Sequence, residues 1–227
     1  MSAIPEVPAA YRGVWKRTLL RTPQIEDASS QVYWLQTGNW HADIRVPVTR
    51  PACAGKHALD ALDRDELLGL ATQQGFAGIT VIEGDTCRWL RQHDFQPPSG
   101  RNDIGRMVFD TPDRLFEYGV ETEYFEVWER VAGSSAAPFR VVTDEETGAL
   151  CLIAGNFFIT VRARASQPPI AESLLSVAGN CTDAELRALL DFEIAFGEKN
   201  DKGEGRIALC THPWLEGRSR PLPRDRA

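Results

Sequence analysis

The sequence predicts a mainly β protein: a closed antiparallel barrel of about ten strands with two short helices. Three observations carry that expectation. The chain begins on an aromatic strand, Tyr11-Arg12-Gly13-Val14-Trp15-Lys16-Arg17. Runs rich in β-branched and aromatic residues, parted by turn-forming residues, then recur almost to its end. Its 227 residues are enough for one all-β domain with a substantial core. A barrel of this size either fills its interior with side chains or holds one small ligand.

Residues 1 to 10, with Pro5 and Pro8, read as an extended arm ahead of a single barrel domain over 11 to 217. Strands are expected at about 11 to 22, 30 to 37 and 40 to 48, parted by turn residues such as Thr22-Pro23 and Gly38-Asn39. The segment 49 to 75 breaks the pattern. Asp63 and Glu66 form a capping arrangement, Leu67, Leu68, Leu70 and Ala71 make an apolar stripe, and Gly75 closes a helix over 63 to 74. Strands resume at about 77 to 84, 86 to 95, 104 to 109, 114 to 120, 123 to 131, 139 to 143, 149 to 154 and 157 to 164. In the last of these Phe157, Ile159, Val161 and Ala163 alternate with Phe158, Thr160, Arg162 and Arg164, the pattern of a half-buried strand. Thr182 and Glu185 make a second capping box before Leu186, Leu189, Leu190 and Ile194, with Gly197 as the stop of a helix over 183 to 196. A closing strand follows at 206 to 211, and 218 to 227 reads as a solvated tail.

The formal charge is −7 and the pI about 5.2, so no basic field is present to attract nucleic acid or an anionic membrane, and neither is expected as a partner. No apolar run approaches the roughly 18 residues that span a bilayer. The first residues lack the features of a secretory signal, which makes a cytoplasmic location the default expectation. Cys53, Cys87, Cys151, Cys181 and Cys210 are widely spaced and form no Cys-x-x-Cys pair, so reduced, mostly buried thiols are expected.

Gly-x-Ser-x-Gly, P-loop, Gly-x-Gly-x-x-Gly and His-Glu-x-x-His motifs are all missing. Three strands carry candidate chemistry. In 40 to 46, His41, Asp43 and Arg45 share one face and Trp40, Ala42, Ile44 and Val46 the other. The polar row either lines the barrel, where it could bind an anion or move a proton, or is solvated behind an inward apolar face. In 87 to 95, Trp89, Arg91 and His93 project together. A guanidinium beside an aromatic suits a planar or carboxylate-bearing ligand, unless Arg91 pairs with an acidic neighbour. In 123 to 130, Tyr124, Glu126, Trp128 and Arg130 share a face, opposite the more apolar Phe125, Val127 and Val131. A buried Glu126 beside a phenol suits acid/base chemistry, or else Arg91 or Arg45 neutralises it as a structural ion pair. Single histidines at 41, 57, 93 and 212 make no ligand spacing, so no metal or cofactor is expected, with haem kept as the alternative.

The strand Tyr33-Trp34-Leu35-Gln36-Thr37 leading into 43 to 47, the tryptophan strand around Trp89, Tyr124-Phe125-Glu126-Val127-Trp128 and the run 150 to 158 carry a resemblance. Together they resemble a lipocalin-like family of fungal proteins with a casein-kinase-interacting member, in pattern more than identity over residues 30 to 164. Gly13-Val14-Trp15 separately is similar to the first signature of lipocalins, whose tryptophan plugs one barrel end; Arg162 or Arg164 would then be the candidate late arginine. The resemblance implies a calycin-type barrel and transfers no catalytic residue. The expected function is binding of a small amphipathic or carboxylate-bearing molecule, with Trp34, Arg45, Trp89, Arg91, Tyr124 and Trp128 lining the cavity. The alternatives are a cofactor-independent acid/base enzyme using Glu126, His93 and Tyr124, and an interaction protein with a filled barrel. An exposed sheet edge would also allow a homodimer.

Overall fold

The computed structural model describes residues 6–136, 138–145, 147–200 and 202–223. The first five residues of the expected arm and the last four of the expected tail lie outside the described residues. The strands of the first half run β1 (Gly13–Arg21), β2 (Glu26–Asp27), β3 (Gln31–Gln36), β4 (Trp40–Val46), β5 (Gln74–Glu83), β6 (Thr86–Asp94), β7 (Ile104–Thr111), β8 (Arg114–Gly119) and β9 (Phe125–Arg130). Helix α1 (Arg64–Leu70) stands between β4 and β5. Every pairing is antiparallel, and β9 pairs back onto β1, so eight strands close a barrel with β2 added outside the ring. Closure leaves no unpaired central edge.

The strands expected beyond residue 139 form a second sheet instead of extending the ring. It runs β10 (Phe139–Thr143), β11 (Leu150–Ala154), β12 (Phe157–Arg162), β13 (Glu193–Lys199), β14 (Gly205–Cys210) and β15 (Ser219–Arg220), antiparallel and in sequence order. Two helices, α2 (Leu174–Ala178) and α3 (Asp183–Leu190), lie between β12 and β13. The sheet covers the outer face of β3 to β5. Leu35, Ala42, Ile44 and Ala77 from the barrel share one apolar core with Leu150, Leu152, Ile159, Ile194 and Phe196, closed by Leu67 and Leu70 of α1 and Leu186 and Leu190 of α3. Tyr33 stacks on Phe196 at 4.2 Å across this junction. Two-sided burial is the reason both faces of β4 are hidden, where an isolated antiparallel sheet would keep one face wet.

The helix starts follow their capping boxes: Asp63 with Glu66 for α1 and Thr182 with Glu185 for α3. Their ends do not follow the expected glycines. Chain 74 to 83 is already β5, and a Cβ on Gly75 would stand 2.7 Å from Ile194 Cδ1 and 2.9 Å from the Asp43 carbonyl oxygen. Gly197 lies in β13, where a Cβ would collide with the Arg206 carbonyl oxygen. Both glycines allow close approach and neither caps a helix.

Trp15 is fully buried near one end of the barrel, its Nε1 donating to the Tyr11 carbonyl at 2.8 Å. The Arg130 guanidinium lies 4.1 Å over its ring, so the arginine that covers Trp15 comes from β9, whereas Arg162 belongs to β12 and Arg164 follows it. Val7 is also buried and its N–H bonds Gly38, so the described part of the arm packs against the barrel. Ser219 and Arg220, expected in the tail, pair with β14. All five cysteines are free; four are buried and Cys181 is half-buried. Among the described residues no helix is long and apolar enough to cross a membrane.

Candidate functional site

The ladder registers decide which face of each strand looks inward. Trp34 stands opposite Asp43, Val32 opposite Arg45 and Gln36 opposite His41. Thr80 stands opposite Trp89, Glu117 opposite Glu126 and Leu115 opposite Trp128. These alternate positions form one continuous inner wall. The polar row of β4 therefore lines the barrel, and the solvated alternative fails because the second sheet takes the apolar face of that strand.

The interior has two halves. Val7, Tyr11, Trp15, Val32, Trp34, Trp89, Met107, Leu115 and Trp128 pack as one apolar cluster. Trp34 sits at its centre, 5.8 Å from Trp89 and 5.9 Å from Trp128, both edge-on. Above this aromatic floor the wall becomes charged and opens as a cleft of about 390 Å³, lined among others by Arg17, Arg45, Arg91, Asp27, Asp103, Glu117, Tyr124 and Glu126. Leu20, Ile25 and Pro47 supply apolar rim.

Each arginine at this cleft is held by two carboxylates. Arg17 donates to Glu126 at 2.7 Å and to Asp27 at 3.2 Å. Arg45 grips Asp43 through two nitrogens at 2.8 and 3.2 Å and reaches Glu126 at 3.5 Å. Arg91 bonds Asp94 at 2.9 Å and Asp103 at 2.6 Å, and its guanidinium lies 3.5 Å over the Phe76 ring. The Glu126 carboxyl is thus a structural ion-pair partner, through Arg17 and Arg45 and not through Arg91. Its second oxygen, Oε2, is buried and has no hydrogen-bond partner among the described residues; the same holds for Trp34 Nε1 and His41 Nε2.

Glu117 is the residue that the sequence hid. It is 3 % exposed, accepts from the Tyr124 hydroxyl at 2.6 Å and from Trp128 Nε1 at 2.9 Å, and faces Glu126 across the ladder. Burial, and then the Glu126 charge, hold its carboxyl well above the usual carboxylate range against the lowering effect of the Tyr124 bond. Burial and the neighbouring Glu117 likewise push the Tyr124 phenol up. His41 is wholly buried, its Nδ1 3.0 Å from Thr80 Oγ1, and burial with the Arg91 charge lowers it to about 3. Asp27 is held below its usual range, since hydrogen bonds from Ser30 and Ser29 outweigh its partial burial.

Of the residues singled out from the sequence, Trp34, Arg45, Trp89, Arg91, Tyr124, Glu126 and Trp128 line one continuous wall: the tryptophans as floor, Arg45, Tyr124 and Glu126 at the cleft, and Arg91 at its exposed edge. His93 does not join them. It stands opposite Ala77, which packs in the core outside the barrel, because a bulge between Ala77 and Gly78 turns Arg91 and His93 to opposite faces. Tyr124 bonds Glu117, so the trio of Glu126, His93 and Tyr124 is not assembled. Arg17 and Glu117 were missed. A register was needed to find them: on β8 the aromatic Phe116 and Tyr118 look like the inward face, yet both pack against Phe125 on the other side from Glu117. Among the described residues no cluster of His, Cys, Asp and Glu is arranged to hold a metal ion. No family model, curated protein or solved structure matches the chain.

Proposed function

We propose that the protein is a lipocalin-like barrel that binds one small polar or amphipathic molecule in the charged half of its interior. The observation that carries this reading is the division of the barrel, with a packed tryptophan floor below and an open cleft of about 390 Å³ above. That volume lies at the small end of the roughly 300–1,000 Å³ typical of ligand sites, and apolar rim with a few fixed polar groups is the usual composition. The ion pairs hold the polar groups in place before any ligand arrives, which limits the ordering cost of binding.

The reading is tested by native mass spectrometry of the freshly purified chain and by a thermal-shift screen of small molecules, each repeated on Leu20→Trp, whose indole fills the cleft. A retained or stabilising compound that Leu20→Trp no longer binds supports the site. Compounds held equally by both forms place binding elsewhere, and no compound held by either form ends the proposal.

A second reading has its own observation in favour. Glu117, its carboxyl held well above the usual carboxylate range by burial and with a phenol at 2.6 Å, is a carboxyl poised to hold a proton at the edge of a cleft, as a cofactor-independent acid/base enzyme would require. Its proton carriers would be Glu117 and Tyr124, with His93 taking no part.

A further inference from the structure

We infer that the cleft is built for a small organic cation, a primary ammonium or guanidinium head seated against Glu126 and Glu117. The inference rests on the small-molecule reading above and names what that site takes.

An anion finds no unpaired guanidinium among the described residues of the cleft wall. The guanidiniums of Arg17, Arg45 and Arg91 are each paired already with two internal carboxylates, so an incoming carboxylate would have to displace one of its own kind. The acceptor side is the unfinished one. Six carboxyls, those of Asp27, Asp43, Asp94, Asp103, Glu117 and Glu126, surround three arginines. Both arginines that reach Glu126 bond the same oxygen, Oε1. Glu126 is only 2 % exposed and lines the cleft, and its Oε2 has no donor among the described residues. A buried carboxylate oxygen in that condition carries its full desolvation cost, which an N–H from a ligand would remove. Glu117 faces it directly across the β8–β9 ladder, so a charged head donating to Oε2 also lies beside a second carboxyl.

The pairing links binding to protons. Glu117 meets Tyr124 from the β8–β9 connection, Trp128 and Glu126 from β9, Gly105 from β7, Cys87 from β6, Asp103 from the β6–β7 connection and Arg45 from β4. Burial and the charges of Glu126 and Asp103 keep it protonated above the usual carboxylate range; Tyr124 and Arg45 oppose them. A bound cation favours the ionised form, so binding expels a proton, and affinity rises with pH through the Glu117 titration before levelling off.

The test is calorimetric titration of the full chain with benzylamine, 1,4-diaminobutane and 4-guanidinobutylamine, against benzyl alcohol, butanedioate and magnesium chloride. At least one amine is expected to bind, with affinity that rises with pH from the ordinary carboxylate range upward and falls about tenfold or more in Glu126→Gln, a loss of about 1.4 kcal/mol. Tyr124→Phe keeps both carboxyls and removes a donor from ionised Glu117; it should move the rising limb to higher pH, and it serves where Glu126→Gln does not fold. Binding of butanedioate without the amines would overturn the cation assignment and leave the small-molecule reading standing. Magnesium binding as tightly as any amine would reassign the site to a metal ion. If no probe binds and native mass spectrometry shows no retained molecule, both readings fall together.

Discussion

His41 shows how a single side chain reports on the barrel interior. Its ring is wholly buried between Thr80 and Phe76, and its pKa lies at about 3 in place of 6.5. In the unfolded chain the ring protonates below about pH 6.5 while the native ring stays neutral, so the stability it permits is complete above that pH and is lost as pH falls toward 3. One such group contributes a slope of about 1.4 kcal/mol per pH unit in that window. Urea denaturation from pH 7 to pH 4 should therefore show a shallower acid loss for His41→Gln than for wild type, by about one proton. An unchanged slope would mean that the ring is not held neutral. Glu117 works in the opposite sense. Its raised carboxyl favours the folded state at low pH, and that contribution fades as pH rises from the ordinary carboxylate range through its own pKa. Of these two residues only His41 was visible from its strand, as part of the polar row with Asp43 and Arg45. Sequence could not choose between inside and outside for that row, because the choice depends on a second sheet that begins only at Phe139.

At the scale of elements, starts were more legible than ends. A capping box is local chemistry, one side chain closing on the backbone three residues away, and Asp63–Glu66 and Thr182–Glu185 both do so. The ends of α1 and α3 are set by tertiary packing. Phe192, Ile194 and Phe196 recur every second residue and face the shared core, so the chain leaves α3 at Leu190 and becomes β13, although Ile194 also continues the helical stripe. Gly75 makes the same point energetically. Asp63→Ala should cost about 1 kcal/mol, as the loss of a cap does. Gly75→Ala places a methyl against Ile194 and the Asp43 carbonyl, backbone that cannot give way easily, and should cost about 1–3 kcal/mol by overpacking. A helix-stop role for Gly75 would predict no such contact. Equilibrium unfolding of the two variants side by side decides it: a Gly75→Ala cost below that of Asp63→Ala contradicts the close-approach account.

At the scale of the whole molecule, the barrel depends on what covers it. Alternation alone counts apolar rows without assigning their partners, so the late strands read as more barrel when they are a separate sheet laid over β3 to β5. The arrangement gives the site its chemistry: once Ile44 and Ala42 have an apolar partner outside, the inward row of β4 is released to carry His41, Asp43 and Arg45. It also ties the two sheets into one cooperative unit. Leu152 is fully buried at the middle of β11, and no part of it touches the tryptophan floor cluster. Leu152→Ala should nevertheless remove about 2–5 kcal/mol and lower the urea midpoint by about 1 M. The shift should be equal for far-UV circular dichroism, which sees both sheets, and for tryptophan fluorescence, to which four of the six tryptophans, Trp15, Trp34, Trp89 and Trp128, contribute from inside the barrel. Fluorescence that kept its wild-type midpoint while the dichroism moved would show a barrel that stands alone. Coincident shifts would mean that the charged cleft is held in register by a sheet on the opposite side of its wall.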